Sequence, residues 1–101
     1  MLAEFTIIPL DKGMHFSSYV AHMTDIIEKS GLPNKLTPMA TVVEGDWDEV
    51  MTLIKACRDE IARDSMRISI HISIDDRIGA TGRLEGKIKS VEEKLGREVN
   101  K

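Results

Sequence analysis

Apolar and polar residues alternate strictly along residues 66–75, where isoleucine occupies every second position from 68 to 74. This period of two is typical of a β-strand with one buried face. Residues 2–10 follow the same pattern, with Phe5 and Ile7 on the apolar side and Pro9 near the end. Both stretches are therefore predicted to be strands whose apolar faces pack on helices.

Two shorter extended segments are predicted at residues 35–37 and 40–44. Pro38 lies between them, and proline within a strand pattern favours a tight hairpin or a bulged edge. Gly45 ends the second segment.

Three other segments have apolar residues at helical spacing, residues 16–30, 46–64 and 82–95. Gly31 and Pro33 follow the first segment, and both residues favour the end of a helix. The second begins with Asp46 and Glu49, an acidic version of the capping box. The predicted apolar stripes are Phe16, Tyr19, Val20, Met23, Ile26 and Ile27, then Trp47, Val50, Ile54, Cys57 and Ile61, then Leu84, Ile88, Val91 and Leu95.

The resulting order is β-α-β-β-α-β-α in 101 residues. Two split βαβ units in this order form the ferredoxin-like sandwich, an α+β fold with an antiparallel sheet and two helices on one face. The last helix is an addition to that pattern. We expect residues 1–101 to form a single domain.

The uncovered face of such a sheet would carry polar side chains from the first and last strands. These are Glu4, Thr6, Ser69, His71 and Ser73. The apolar stripe of the last helix also exceeds what one sheet and two helices can cover. We therefore expect a homo-oligomer, a dimer or a tetramer, formed through the sheet faces and the C-terminal helix.

Composition narrows the classes of function. The net charge of −3 argues against a nucleic-acid-binding module. No apolar run approaches the ~20 residues that span a bilayer, the first residues lack the features of a signal peptide, and a lone cysteine fits a reducing compartment. We expect a soluble, cytoplasmic protein without membrane contact. A chain this short favours a site between subunits over a deep internal cavity.

The residues with catalytic chemistry form no recognisable catalytic or metal-binding motif. His15, His22 and His71 lack the spacing of metal ligands, and Cys57 lies on an apolar stripe, which predicts an inert core thiol. We predict no catalytic residue and no metal site. The alternative is an oligomeric ferredoxin-like enzyme that uses His71 on the open face as a base.

Three polar clusters lie where strands and helices meet, at residues 17–19, at Thr41 with residues 44–47, and at residues 75–77. Each cluster alone is explained by a helix cap, an acidic first turn or a surface turn. Together they offer hydroxyls, a carboxylate, aromatic rings and a guanidinium. That set suits a small polar aromatic cation.

The segments at residues 3–10, 17–21, 30–32, 37–51 and 67–77, taken in order, resemble the thiamine-binding protein family of small ferredoxin-like proteins. The likeness covers nearly the whole chain. It implies dimers stacked through their sheets, tetramers, and binding of thiamine or its pyrimidine moiety without turnover. The departures from the family pattern are Ala40, where glycine is frequent, and Asp11, where a small or hydroxyl residue is frequent.

The resemblance also implies ligand-binding residues. The candidates carried over are Ser17, Ser18, Thr41 and Glu44, and Tyr19 and Trp47 are added as aromatic side chains beside them. Glu44 would balance the thiazolium charge or bind the amino group, and Tyr19 or Trp47 would stack on a ring. For Trp47, packing on the core is the favoured alternative.

The leading hypothesis is a non-catalytic homo-oligomer that binds thiamine or a pyrimidine such as hydroxymethylpyrimidine, in salvage, transport or sensing. No cofactor is expected apart from this ligand. The alternatives are the His71 enzyme and a regulatory module that binds a small ligand to control a partner.

Overall fold

The computed structural model describes residues 1–13 and 17–100. Its elements are β1 (Leu2–Pro9), α1 (Ser17–Lys29), β2 (Asn34–Leu36), β3 (Thr41–Glu44), α2 (Trp47–Ala62), β4 (Ile68–Asp75) and α3 (Arg83–Leu95). All the predicted elements are present, and no end differs from the prediction by more than two residues. Phe16, the predicted first residue of α1, lies outside the described residues.

The four strands form one antiparallel sheet in the order β2-β3-β1-β4. The first strand is therefore central, and the last strand lies at one edge. Helices α1 and α2 pack on one face, which gives the predicted ferredoxin-like α+β sandwich with α3 as the added helix.

The strand register assigns each side chain to a face, because directly opposed residues in antiparallel strands point to the same side. Phe5 lies opposite Ile72 on the helix side, and Thr6 lies opposite His71 on the other side. The predicted residues of this open face are confirmed: Glu4, Thr6, Ser69, His71 and Ser73.

The core lies between the sheet and the two helices. Its buried side chains are Ala3, Phe5, Ile7, Met23, Ile27, Val43, Val50, Leu53, Ile54, Cys57 and Ile61. Burial raises the pKa of the Cys57 thiol to about 11, so the thiol stays protonated, as expected of an inert core cysteine.

Two expectations about apolar residues need correction. Trp47 is 57% exposed, because as the first residue of α2 it lies at the end of the stripe, where the sheet no longer covers it. Val50, one turn later, is fully buried. On β4, the helices cover the isoleucine face incompletely, since Ile70 and Ile72 are each 40% exposed.

Polar contacts fix the ends of two elements. The predicted capping box is present, since the Asp46 carboxylate accepts the Glu49 N–H at 2.8 Å and Glu49 accepts the Asp46 N–H at 3.0 Å. Asp11 accepts from the hydroxyl of buried Ser65 at 2.5 Å and from the Met66 N–H at 2.9 Å. Asp11 therefore ties the end of β1 to the segment that enters β4.

Helix α3 is only lightly packed. None of its residues is buried, and Val91 and Leu95 are 43% and 52% exposed. The predicted excess of apolar surface on this helix is thus present. Within the described part of the chain, no helix has the length and apolar character needed to cross a membrane.

Candidate ligand-binding site

A cavity of about 210 Å³ lies between β1, α1 and the hairpin that joins β2 to β3. It is lined by Phe5, Thr6, Ile7, Ile8, Tyr19, Val20, Met23 and residues 36–41. All these residues belong to one chain, so the cavity does not need a second subunit to form.

The short third strand creates this cavity. Strand β3 begins at Thr41, opposite Phe5, so the second half of β1 has no partner on that side. The hairpin turns at this point, and the Thr37 hydroxyl holds the turn by donating to the Ala40 carbonyl at 2.8 Å and accepting the Ala40 N–H at 3.1 Å. A gap therefore remains between the hairpin, the sheet and α1.

The side chains that line the cavity are mostly apolar, with a few polar groups among them. No charged side chain is among the described residues that line it, and its polar side chains are Thr6, Tyr19, Thr37 and Thr41. A dry cavity of about 150 Å³ in another protein holds benzene. A cavity of about 210 Å³ therefore has room for one six-membered ring with small substituents.

Tyr19 forms part of the cavity wall and is anchored from outside it. Its hydroxyl donates to Asp64 Oδ2 at 3.2 Å. Burial, and then the hydrogen bond to Asp64, raises the pKa of Tyr19, so the phenol is neutral at physiological pH. Because the Tyr19 O–H donates its hydrogen bond to Asp64, the lone pairs of its oxygen can still accept one.

Of the predicted ligand residues, the structure brings Tyr19 and Thr41 together in this cavity. Ser17 and Ser18 are exposed in the first turn of α1. Ser18 lines a neighbouring polar groove together with His22 and Asp64.

Glu44 lies elsewhere, on the open face, and is 8% exposed. Its two carboxylate oxygens accept the N–H groups of Arg83 at 2.8 Å and Leu84 at 3.2 Å, at the start of α3. The N-cap residue of α3 is Gly82, which has no side chain to cap the helix, so Glu44 supplies the cap. Glu44 thus fixes the start of α3 and does not line the cavity.

The electrostatics around Glu44 favour its charged form. The hydrogen bond from Arg83 N–H, helped by that from Leu84, holds the pKa of the Glu44 carboxyl below its usual range despite the opposing effect of burial. The Met1 amino group, which donates to the Gly45 carbonyl at 2.7 Å, adds a nearby positive charge. An ion pair also joins α3 to the sheet, since Lys35 Nζ on β2 lies 2.8 Å from Glu85 Oε1 on α3.

His71, the catalytic alternative, lies in a shallow groove on the open face with Glu4 and Ser73. Its Nε2 is 3.1 Å from the Ser69 hydroxyl. No group of three or more potential metal ligands occurs among the described residues. His15 lies outside them.

Sequence reasoning missed the hairpin side chains and Asp64. Met39 at the hairpin tip is 85% exposed and lines the cavity. The pairing of Pro38 with an apolar Met39 in a predicted turn was the available signal, since turns are usually polar. No signal pointed to Asp64, whose contact with Tyr19 joins residues 45 positions apart.

Comparison with known proteins identifies the family. The sequence profile described as thiamine-binding protein matches residues 3–92. UPF0045 protein Mb1933 of Mycobacterium bovis is 35% identical over 96 residues, with 94% of each chain covered. The crystal structure of MJ1052 from Methanocaldococcus jannaschii superposes with a TM-score of 0.82 at 34% identity, covering 91% of this chain and 95% of that one.

A Thermotoga maritima protein, provisionally assigned to thiamine biosynthesis or salvage, has a TM-score of 0.77 at 19% identity, with 89% of this chain and 96% of that one covered. At that identity the likeness concerns the fold alone. The family match and the two more similar relatives extend over nearly the whole length of the chain. The chain therefore belongs to the thiamine-binding protein family.

Proposed function

We propose that this chain binds thiamine or a related pyrimidine, such as hydroxymethylpyrimidine, and does not convert it. The observation that carries the proposal is the uncharged cavity at Tyr19 and Thr41, in a chain of the thiamine-binding family. Small-molecule sites are mostly apolar and contain a few polar groups that orient the ligand. This cavity has that character.

The aminopyrimidine half of thiamine fits the cavity in size and chemistry. It is a flat, neutral ring with an exocyclic amino donor and ring-nitrogen acceptors. In our proposal the Tyr19 oxygen accepts from the amino group and the Thr41 hydroxyl donates to a ring nitrogen, since both residues line the cavity. These two residues are therefore the proposed ligand contacts.

The thiazolium ring exceeds the room left in a cavity of about 210 Å³. In our proposal it lies at the mouth of the cavity. We propose Asp64, which accepts the Tyr19 hydroxyl and lines the neighbouring groove, as the source of negative charge for that ring. This proposal gives Asp64 the role that the family resemblance implied for Glu44, whose carboxylate caps α3.

The proposal includes a homo-oligomer associated through the open face and α3. Its support is the exposed apolar pair Val91 and Leu95, which no described residue buries. A role in salvage, transport or sensing of thiamine is consistent with binding without turnover.

The proposal predicts a specific loss of affinity in Thr41→Val. This change keeps the shape of the side chain and removes one hydroxyl, at a cost of about 1 kcal/mol, or about fivefold in Kd. Thermal-shift titration with hydroxymethylpyrimidine measures the change, since a ligand of the native state raises Tm.

Trp47→Phe is the matched control, because Trp47 is exposed and lies outside the residues that line the cavity. It should leave the affinity unchanged. Equal affinity of Thr41→Val and the unsubstituted chain, or a loss confined to Trp47→Phe, would contradict the proposed site.

A further inference from the structure

Met39 combines exposure to solvent with a place in the wall of the ligand cavity. It lies in the hairpin between β2 and β3 and is 85% exposed. It lines both the cavity and the shallow groove on the open face. It is not among the apolar residues that pack on the core, so the fold does not require this side chain to stay apolar.

The other described methionines lack this combination. Met23 lines the same cavity but is only 9% exposed, because it belongs to the core. Met66 is 98% exposed but is not one of the residues that line the cavity. Met1 and Met51 are partly buried against the core. Among the methionines that the structure describes, Met39 alone is both open to solvent and beside a ligand in the cavity.

An exposed thioether reacts with peroxides. The sulfur lone pair attacks the outer oxygen of the peroxide, the O–O bond breaks and an S–O bond forms. Hydrogen peroxide is reduced to water, and the thioether is oxidised by two electrons to the sulfoxide. A peroxide must reach the sulfur for this reaction, so exposed methionines react before buried ones.

The single cysteine does not compete for the peroxide. Cys57 is fully buried, and burial raises the pKa of its thiol to about 11. The thiolate is the reactive form of cysteine, so the protonated Cys57 thiol is inert. Oxidation at exposed methionines is therefore the first reaction that we expect of this chain with a mild peroxide.

A sulfoxide at Met39 changes the surface that a ligand contacts. The cavity wall beside it is apolar and includes Leu36, Pro38 and Ala40. A sulfoxide that stays in this wall places a polar oxygen against the ligand ring, at a cost in desolvation. A sulfoxide that turns to solvent leaves the ring uncovered on that side. Both arrangements weaken binding.

We propose that Met39 is a reversible oxidation site, at which a hydroperoxide converts the thioether to the sulfoxide and thereby releases the pyrimidine from the cavity. A methionine sulfoxide reductase restores the thioether and the affinity. This inference rests on the proposed function and adds regulation to the same site. Because Met39 does not pack on the core, the oxidation acts on the ligand and leaves the fold intact.

Peptide mass spectrometry after treatment with hydrogen peroxide tests the site. Met39 and Met66 should each gain an oxygen before Met23 does. Saturating hydroxymethylpyrimidine should slow the oxidation of Met39 and leave that of Met66 unaffected, since Met39 lines the cavity and Met66 does not. Equal oxidation of Met39 with and without bound ligand would overturn the proposal.

Calorimetric titration with hydroxymethylpyrimidine, before and after the same treatment, tests the effect on binding. The unsubstituted chain should lose about tenfold in affinity, the scale expected when a polar group meets an apolar one. Methionine sulfoxide reductase should restore the affinity. Met39→Leu should keep the affinity that it had before treatment, because leucine has a similar volume and no sulfur. Met66→Leu is the matched control and should respond like the unsubstituted chain.

An equal loss of affinity in peroxide-treated Met39→Leu would overturn the proposal, and so would full affinity in a chain oxidised at Met39. The ligand-free chain should keep its Tm on oxidation, and a fall in Tm that accounts for the lost affinity would also count against it. Absence of binding before any treatment contradicts the proposed function itself, so the two failures are distinguishable.

Discussion

At the scale of single residues, the buried hydroxyl of Ser65 makes a hydrogen bond that stabilises the fold outside the apolar core. It donates to Asp11 Oδ1 at 2.5 Å and is 6% exposed. Ser65→Ala leaves that side of the Asp11 carboxylate without its partner. We expect a loss of about 1 kcal/mol in the free energy of unfolding, measured by urea denaturation.

Ser90→Ala is the matched control for that measurement. Ser90 is exposed on α3, and its hydroxyl donates only within the helix, to the Gly86 carbonyl. Because alanine favours helix more than serine, Ser90→Ala should not lower stability. Equal effects of the two variants would mean that the contact of Ser65 with Asp11 contributes nothing specific.

The residue scale also shows where sequence reasoning stops. Cys57 was assigned to the core correctly because helical spacing fixes the face on which a residue lies. The polar contacts of Asp11, Glu44 and Asp64 join residues 54, 39 and 45 positions apart. Local patterns contain no information about such pairs, so these contacts appear only in the folded chain.

At the scale of elements, α3 depends on Glu44. Glu44→Gln removes the charge that caps the helix, and loss of a cap costs about 1 kcal/mol. Amide hydrogen exchange across α3 should therefore become about fivefold faster, while exchange in α2 stays unchanged. Glu93→Gln, an exposed change on the same helix, is the control and should leave exchange in α3 unaltered.

The same contact predicts a pH dependence. The folded pKa of Glu44 is lowered, so its contribution is present above the unfolded value of about 4.3 and is lost as pH falls through the lower folded value. The protection of α3 amides, corrected for their intrinsic exchange rates, should therefore fall as pH is lowered through that acidic range. If Glu44→Gln shows the same acid response, the carboxylate is not the source.

Strands and helices could be predicted from the sequence where apolar residues recur at a regular spacing along the whole segment. The alternation in β4 and the stripes of α1 and α2 gave the strands and helices with ends within one or two residues. The exposure of Trp47 was not predictable, because periodicity gives the direction of a side chain and not how far the opposing sheet extends. The cavity was not predictable for the same reason, since it depends on where β3 begins relative to β1.

At the scale of the whole molecule, the order of elements and the sheet topology follow from the sequence, because split βαβ units have few compact arrangements. One chain contains a cavity of about 210 Å³, and the expectation that a chain of 101 residues forms its site between subunits stays a prediction. Assembly and ligand depend on surfaces that single-chain patterns do not specify. They therefore remain proposals.

The central claim is that one neutral pyrimidine ring occupies this cavity. Calorimetric titration of the chain with thiamine, hydroxymethylpyrimidine and the isolated thiazolium fragment tests it most directly. Because only the pyrimidine enters the cavity, thiamine and hydroxymethylpyrimidine should have Kd values within about tenfold of each other, or about 1.4 kcal/mol. The thiazolium fragment should give no measurable heat. Binding of that fragment in preference to the pyrimidine, or no heat with any of the three, would contradict the account.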